Sequence, residues 1–290
     1  MENTYIIGVD IGGTTYSTSL FSQTLKLFHT SEIGHICEST NQNQLLDSIT
    51  KQIKDVAAGK PITGVGFACP GPLDANLGRI LETPNLPLLQ NCNFIHEMSN
   101  RLNLPCFLDN DANLFSLGEY SSYLGIKAVF VAVTLGTGLG VGIIINGELF
   151  KGAHGMAAEY GISPVEWGKW ETDISINGIT MLSEKYFNSL HDPIALSKMA
   201  LNGNKEALLL WNEFGEKLGL YLSHVINMFD PHAISIGGGL SNAFCHFQKS
   251  MKETITKYAP AYSHYEINIF ESAEKELSAK RGAAMLSNNI

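Results

Sequence analysis

Tyr5-Ile6-Ile7-Gly8-Val9-Asp10-Ile11-Gly12-Gly13-Thr14-Thr15 opens the chain with an apolar run, a carboxylate and a glycine–threonine turn. Tyr16 to Phe21 then alternates, so the stretch predicts strand, turn, strand. A Gly-x-Gly-x-x-Gly pattern is absent here and no helix follows directly, which argues against a dinucleotide fingerprint. Gly8 and Gly13 have the spacing of a Walker loop, but Thr14 stands where its lysine would be. Adjacent glycines let backbone N–H groups approach an anion closely, and Thr14 and Thr15 add hydroxyl donors. Asp10 facing phosphates makes sense with a metal ion between the like charges. A plain hairpin turn is the alternative.

The same order returns in the second half. Val9-Asp10-Ile11-Gly12-Gly13-Thr14 compares with Val133-Thr134-Leu135-Gly136-Thr137-Gly138. Ala128 to Ile145 is uncharged and about as long as a membrane span. It carries Gly136, Gly138, Gly140 and Gly142, and each glycine would cost a helix roughly 1 kcal/mol. Two buried strands joined by a glycine turn fit better. Two strand–turn–strand units, one opening each half, suggest duplicated lobes able to hold a phosphate chain.

Between them lies Leu108-Asp109-Asn110-Asp111-Ala112-Asn113, at the end of the apolar run Pro105 to Leu108. A short strand delivers carboxylates at its C-terminal edge, where open α/β sheets put ligands. The same composition also suits an Asx-rich turn. Leu114 to Tyr123 is expected to be helical.

The rest of the chain supplies a frame. Asn41 is placed to cap a helix whose face is Leu45, Leu46, Ile49, Ile53, Val56 and Ala57. Ile62 to Cys69 is a strand closed by Pro70-Gly71-Pro72, and Thr83-Pro84-Asn85-Leu86-Pro87 is a proline-fenced loop. Asn85 there can serve a polyol or simply a turn. Gly152 to Gly161 is a small-residue loop carrying Glu159, and Ser163 to Ile179 is irregular. Leu208, Trp211, Phe214, Leu218, Leu222, Val225, Ile226 and Phe229 mark a long helix stopped by Asp230-Pro231. Ala233 to Ile236, Gly237-Gly238-Gly239 and a helix from about Ser241 give a smooth backbone beside a helix start, suited to a base or a phosphate. Ala273 to Leu286 closes the chain as a helix, with Gly282 allowing close packing.

Composition bounds the partners. With 290 residues, 44% hydrophobic and 16% charged, the chain has room for two lobes with a core in each. A formal net charge of −9 disfavours nucleic acid and anionic membrane surfaces. Backbone amides and a cation can still hold a phosphorylated substrate. The five cysteines are scattered without a Cys-x-x-Cys pair, which suits a reducing cytoplasm and argues against a disulfide framework. The N-terminal residues carry no visible signal peptide.

These motifs, in this order, resemble the ROK family of sugar kinases and sugar-sensing repressors in the actin–hexokinase superfamily. The resemblance rests on Asp10 to Thr14, Pro70-Gly71, Pro84-Asn85-Leu86, Asn110 to Asn113, Leu135 to Gly140, Gly152 to Gly161 and Gly237 to Gly239. It implies an α/β, two-lobed, ribonuclease H-like fold with the active site in the interlobe cleft. The lobes would be 1–112, joined by the C-terminal helix of about 273–290, and 113–272. It further implies a homodimer that uses ATP and Mg2+ to phosphorylate a sugar hydroxyl, usually the 6-hydroxyl of a hexose. Carried over, Asp111 is the general base, and Asn85, Asn110, Glu159 and Glu171 contact the sugar. Asp10 orients magnesium through water, while Gly12, Gly13, Thr14, Gly136, Thr137 and Gly138 hold phosphates. Gly238 and Gly239 border the adenosine, and Asp109 is left a structural role.

One departure is informative. Many relatives have Glu-x-Gly-His followed by a cysteine-rich zinc loop. Here Glu159-Tyr160-Gly161 continues with Ile162, and no cysteine lies between Cys106 and Cys245, so no zinc is expected. A zinc-less loop resembles the β-glucoside kinase branch, whereas Thr83 to Pro87 and Asn227 to Pro231 resemble allose kinase. A catalytically silent sugar-binding regulator is the competing class. Family repressors carry a DNA-binding segment before the first strand, whereas this strand starts at Tyr5.

Overall fold

The computed structural model describes residues 4–123, 128–166 and 168–289; the first residues of the N-terminus and one residue of the Ser163 to Ile179 stretch lie outside them. The chain divides into two compact units. The first comprises Met1–Leu124, Gly152–Gly155 and Glu274–Ile290, the second Gly125–Lys151 and Met156–Ala273.

In the first unit, β1 (Tyr5–Ile11) and β2 (Thr15–Ser22) form the expected antiparallel pair, with β3 (Leu27–Thr30) and β4 (Gly34–His35) added to β2. Helix α1 (Gln42–Ala57) starts where Asn41 accepts the Gln44 N–H at 3.0 Å, and Leu45, Leu46, Ile49, Ile53 and Val56 are buried. Strand β5 (Ile62–Cys69) pairs in parallel with β1. A short hairpin, β6 (Leu73–Asp74) with β7 (Arg79–Ile80), and α2 (Phe94–Leu102) lead to β8 (Cys106–Asn110), which pairs in parallel with β5. The sheet order is β3-β2-β1-β5-β8.

Helix α3 spans Asp111–Tyr120, beginning three residues before the expected Leu114, because Asn110 caps it. It belongs to the first unit and not, as the sequence suggested, to the second. The reason is packing against the C-terminal helix Glu276–Leu286. A Cβ on Gly118 would lie 1.8 Å from the Ser278 carbonyl, and one on Gly282 1.8 Å from that of Leu114. The same helix rests on the sheet through Gly8 and Gly66, where a Cβ would lie 1.8 Å from the carbonyls of Lys280 and Ala283. Glycine is required there for close approach.

The second unit repeats the plan. Strands β9 (Val129–Leu135) and β10 (Leu139–Ile145) form an antiparallel hairpin extended by β11 (Glu148–Leu149). The uncharged Ala128 to Ile145 stretch is thus two strands, and no helix among the described residues is long and apolar enough to cross a membrane. After the short pair β12 (Pro164–Val165) and β13 (Gly168–Lys169) come α4 (Trp170–Asp173), α5 (Ile176–Phe187), α6 (Pro193–Leu201) and the long α7 (Lys205–Phe229). Strand β14 (Ala233–Gly237), α8 (Phe244–Tyr258), α9 (Pro260–His264) and β15 (Asn268–Glu271) complete it. The order β11-β10-β9-β14-β15 mirrors the first sheet: a hairpin, then two parallel strands.

Two helix expectations shift. Leu208 is 45% exposed, while Leu210 and Tyr221 take buried positions beside Trp211, Phe214 and Leu218. The helix after the triple glycine starts at Phe244 rather than Ser241, preceded by a 3-10 turn over Gly239–Ala243.

Candidate active site

In the first unit the hairpin turn, the Asn85 loop and the end of β8 come together. Gly13 lies against Asn85, where a Cβ would meet the Asn85 carbonyl at 3.1 Å. The loop is tied down where Thr83 Oγ1 donates to the Pro72 carbonyl at 3.0 Å. Gly71 sits beside Asn110, with 3.6 Å between its ideal Cβ position and Asn110 Nδ2. Gly12 donates its N–H to the Thr15 carbonyl at 2.8 Å, and Gly13 and Thr14 are exposed.

The polar cluster at β8 and α3 is ordered by hydrogen bonds that separate its members. Asp109 is 2% exposed, and its Oδ1 accepts from the Asn110 N–H at 2.8 Å and from Asn113 Nδ2 at 3.0 Å. It ties the strand end to the helix. Asn110 is the cap: its Oδ1 accepts from the N–H groups of Ala112 at 3.0 Å and Asn113 at 3.2 Å. Asp111 is the first helical residue, and its Oδ1 accepts from the Ala112 N–H at 2.8 Å. Burial pushes the Asp111 carboxyl above its ordinary value; the Ala112 and Asp111 N–H groups and the Asn110 side chain pull back. A carboxylate at a helix start also gains from the helix dipole.

Asp10, half-buried at the end of β1, is pushed up to about 7 by burial first and by the Asp111 charge second; Lys280 opposes this and Glu276 adds to it. Lys280 is 4% exposed, and its Nζ donates to Ser17 Oγ at 3.0 Å. Ser17 is the cross-strand partner of Asp10. Sequence reasoning missed Lys280. The available signal was a basic pair, Lys280-Arg281, set among the small residues Ser278, Ala279, Gly282 and Ala283.

Two nearby carboxylates with one buried ammonium to offset them make a site that favours a further cation. Magnesium takes one or two carboxylates and completes its shell with water and phosphate, so Asp10 and its surroundings fit it. Among the described residues no group of three or more His, Cys, Asp or Glu side chains is arranged to hold a metal by itself.

In the second unit the two glycine turns meet. Gly238, at φ 80°, lies so close to Leu135 that a Cβ would be 2.4 Å from the Leu135 carbonyl. Gly136 and Gly239 have open space where a Cβ would stand, as a surface that receives a ligand requires. Thr137 is exposed between Gly136 and Gly138. Glu171 lies against this turn: its Oε2 accepts the Leu139 N–H at 3.1 Å and would touch a Cβ on Gly138 at 2.7 Å. Glu159 is exposed at the start of a 3-10 turn, Glu159–Ile162, which follows Ala158 at φ 71°. The described part of the Ser163 to Ile179 stretch contains the β12–β13 hairpin and α4.

Thus the expected base, magnesium-orienting and amide residues Asp111, Asp10, Asn85 and Asn110 share the first unit with Gly12, Gly13 and Thr14. Gly136, Thr137, Gly138, Glu159, Glu171, Gly238 and Gly239 are in the second.

Comparison with known proteins gives a consistent family. A glucokinase of Thermotoga maritima is 30% identical over 284 residues, covering 89% of each chain. An N-acetyl-D-glucosamine kinase of Aliivibrio fischeri is 26% identical, covering 97% of this chain and 98% of its own. The crystal structure of a ROK family glucokinase from Streptomyces griseus, in complex with glucose and AMPPNP, shares the fold. Its TM-score is 0.82 at 24% identity, over 99% of this chain and 100% of that one. The sequence pattern of the ROK family matches residues 6–290, so the chain belongs to the ROK family.

Proposed function

We propose that the protein is an ATP-dependent kinase that phosphorylates a sugar hydroxyl, with Asp111 as general base. The observation that carries this is Asp111 at the first position of α3, half-buried, raised in pKa and held by the capped helix start. Raised affinity for a proton is what a base needs to accept one from a hydroxyl. The hydroxyl proton passes to Asp111, the sugar oxygen bonds to the γ-phosphorus, and the bond to the β,γ-bridging oxygen breaks to release ADP. Such transfer depends mainly on positioning and charge neutralisation.

Asn85, Asn110 and Glu159 are assigned to sugar hydroxyls, and the 6-hydroxyl of a hexose or β-glucoside is the proposed acceptor. Gly12, Gly13, Thr14, Gly136, Thr137 and Gly138 are assigned to phosphates, and Gly238 and Gly239 to the adenosine. Glu171 is assigned with Asn85, Asn110 and Glu159 to the sugar hydroxyls, while its Oε2 accepts the Leu139 N–H of the phosphate turn. Magnesium, oriented by Asp10 through water, would neutralise phosphate charge. A cytoplasmic homodimer belongs to the same proposal.

An ATP-consumption screen of the full chain against free hexoses, N-acetylhexosamines and β-glucosides tests it. Turnover with one class is expected, and the preferred class names the substrate. Silence across all three, with sugar binding retained, overturns the kinase in favour of a regulator.

A further inference from the structure

Glu159 and Glu171 are each followed or preceded by an aromatic residue, Tyr160 and Trp170, and both rings reach the same place on α7. Tyr160 stacks on Tyr221 at 5.5 Å between ring centroids, 25° between planes. Trp170 meets Tyr221 edge-on at 5.6 Å and His224 edge-on at 5.5 Å. The Tyr160 hydroxyl and His224 Nδ1 are hydrogen-bonded at 2.9 Å. Tyr221 and Trp170 are buried, and Tyr160 is half-buried. Tyr221 and His224 lie three apart, so α7 presents both on one face.

The same turn also packs on the second sheet. Gly161 packs on β10, where a Cβ would meet the Leu139 carbonyl at 3.1 Å, and Leu139 gives its N–H to Glu171. The Glu159 turn is also strained at its entry, since Ala158 occupies the left-handed region at φ 71°. Such a turn persists only when its surroundings over-determine it. Here the surroundings are three rings in contact with Tyr160, those of Trp170, Tyr221 and His224, and one directional bond, Tyr160 to His224.

Resting on the kinase reading, we propose that Tyr160 and His224 are positioning residues for the sugar. Their hydrogen bond, on the Tyr221–Trp170 platform, locks the Glu159 turn in the orientation that receives a hexose hydroxyl. Glu171 then links that turn to the Gly136–Gly138 phosphate turn. Neither side chain needs to touch the sugar. Tyr160 fixes the carboxylate of its neighbour Glu159, and His224 fixes Tyr160 through the hydrogen bond.

The test uses the full chain and three substitutions, Tyr160→Phe, His224→Leu and His224→Asn. Two quantities are measured: amide hydrogen exchange over residues 159–173, and glucose and N-acetylglucosamine dependence by both equilibrium binding and steady-state KM. Losing one hydrogen bond corresponds to about fivefold in an equilibrium constant. Tyr160→Phe and His224→Leu are therefore expected to raise sugar Kd and KM about fivefold, with KM for ATP within about twofold. Exchange at 159–162 should accelerate by a similar factor. The double variant Tyr160→Phe with His224→Leu should be no worse than either single one. His224→Asn, whose amide can take the place of Nδ1, should restore most of both.

Unchanged exchange at 159–162 in both single variants overturns the lock. Faster exchange with unchanged sugar affinity overturns its role in sugar positioning. A wild-type chain that binds sugar without phosphorylating it sinks the kinase reading while the binding and exchange comparisons still decide this one. A wild-type chain that binds neither sugar overturns the sugar-positioning proposal outright.

Discussion

Lys280 donates from Nζ to Ser17 Oγ at 3.0 Å, directly across the hairpin from Asp10. The C-terminal helix therefore brings a buried cation beneath the carboxylate that ends β1. The compensation is incomplete, because Asp10 still rises to about 7. A carboxyl with a folded pKa above its unfolded value of about 3.9 binds its proton more tightly when folded. Its contribution to stability is present below the unfolded pKa and is lost as pH rises through about 7. The full loss is on the order of 4 kcal/mol. Asp10→Asn should abolish that slope. Thermal melts in EDTA should show the variant equal to wild type near pH 4 and more stable at pH 8. Parallel stability–pH curves for the two proteins would sink this account of Asp10.

Glycine has two different uses here, and two substitutions separate them. Gly8→Ala would set a Cβ 1.8 Å from the Lys280 carbonyl, backbone that cannot rotate away. Overpacking of this kind should cost about 3 kcal/mol or more and lift the C-terminal helix from the sheet. Gly136 meets nothing within 4 Å of its Cβ position. Gly136→Ala should melt like wild type yet raise KM for ATP, because the added methyl stands where the phosphate needs bare backbone. Equal melting losses in both variants, or an unchanged KM for ATP in Gly136→Ala, would contradict the distinction.

Much of this frame was legible in the residues. The repeated strand–glycine–threonine–strand order foretold two units with matching sheets. Asn41 declared the start of α1, and alternate glycines turned a span-length apolar stretch into two strands. What stayed hidden depends on contacts far apart in the chain. Asn110 looked like one of several turn-forming residues until its carbonyl oxygen was seen capping α3, which moves the helix start onto Asp111. That Glu171 also accepts the Leu139 N–H, thirty-two positions away, has no local signal. Lys280 and His224 carry no local motif at all; helix phase and packing bring Lys280 beside Asp10 and His224 against Tyr160. Leu208 and Leu210 are equally apolar, and only the rotation of α7 in its packed position decides which is buried.

Asn110 couples stability to chemistry through its two ends. Its Oδ1 caps α3 while its side chain lowers the pKa of Asp111. Asn110→Asp keeps an oxygen for the Ala112 and Asn113 N–H groups, so stability should change by less than about 1 kcal/mol. It also sets a second negative charge beside Asp111, which should raise the base by about a unit or more. The acid limb of kcat should then move to higher pH by that amount, measured with saturating ATP and sugar. Asn110→Ala should instead lose about 1 kcal/mol in denaturant unfolding through the missing cap. An unshifted acid limb in Asn110→Asp would separate Asn110 from the base.

Asp111 itself gives the sharpest expectation. Asparagine at this position keeps an Oδ1 to accept the Ala112 N–H, so the start of α3 should survive the change. It also removes a carboxyl whose charged form burial disfavours, so the variant should melt no lower than wild type at pH 8. What it cannot do is accept a proton from the attacking hydroxyl. General-base removal typically costs about 10²–10⁴ in rate. Asp111→Asn should therefore lose phosphorylation by that factor while sugar Kd by equilibrium binding stays within about threefold. The combination matters, because a misfolded site would lose both. Near-wild-type turnover would remove Asp111 from the base role, and loss of binding together with turnover would place it among the groups that hold the sugar.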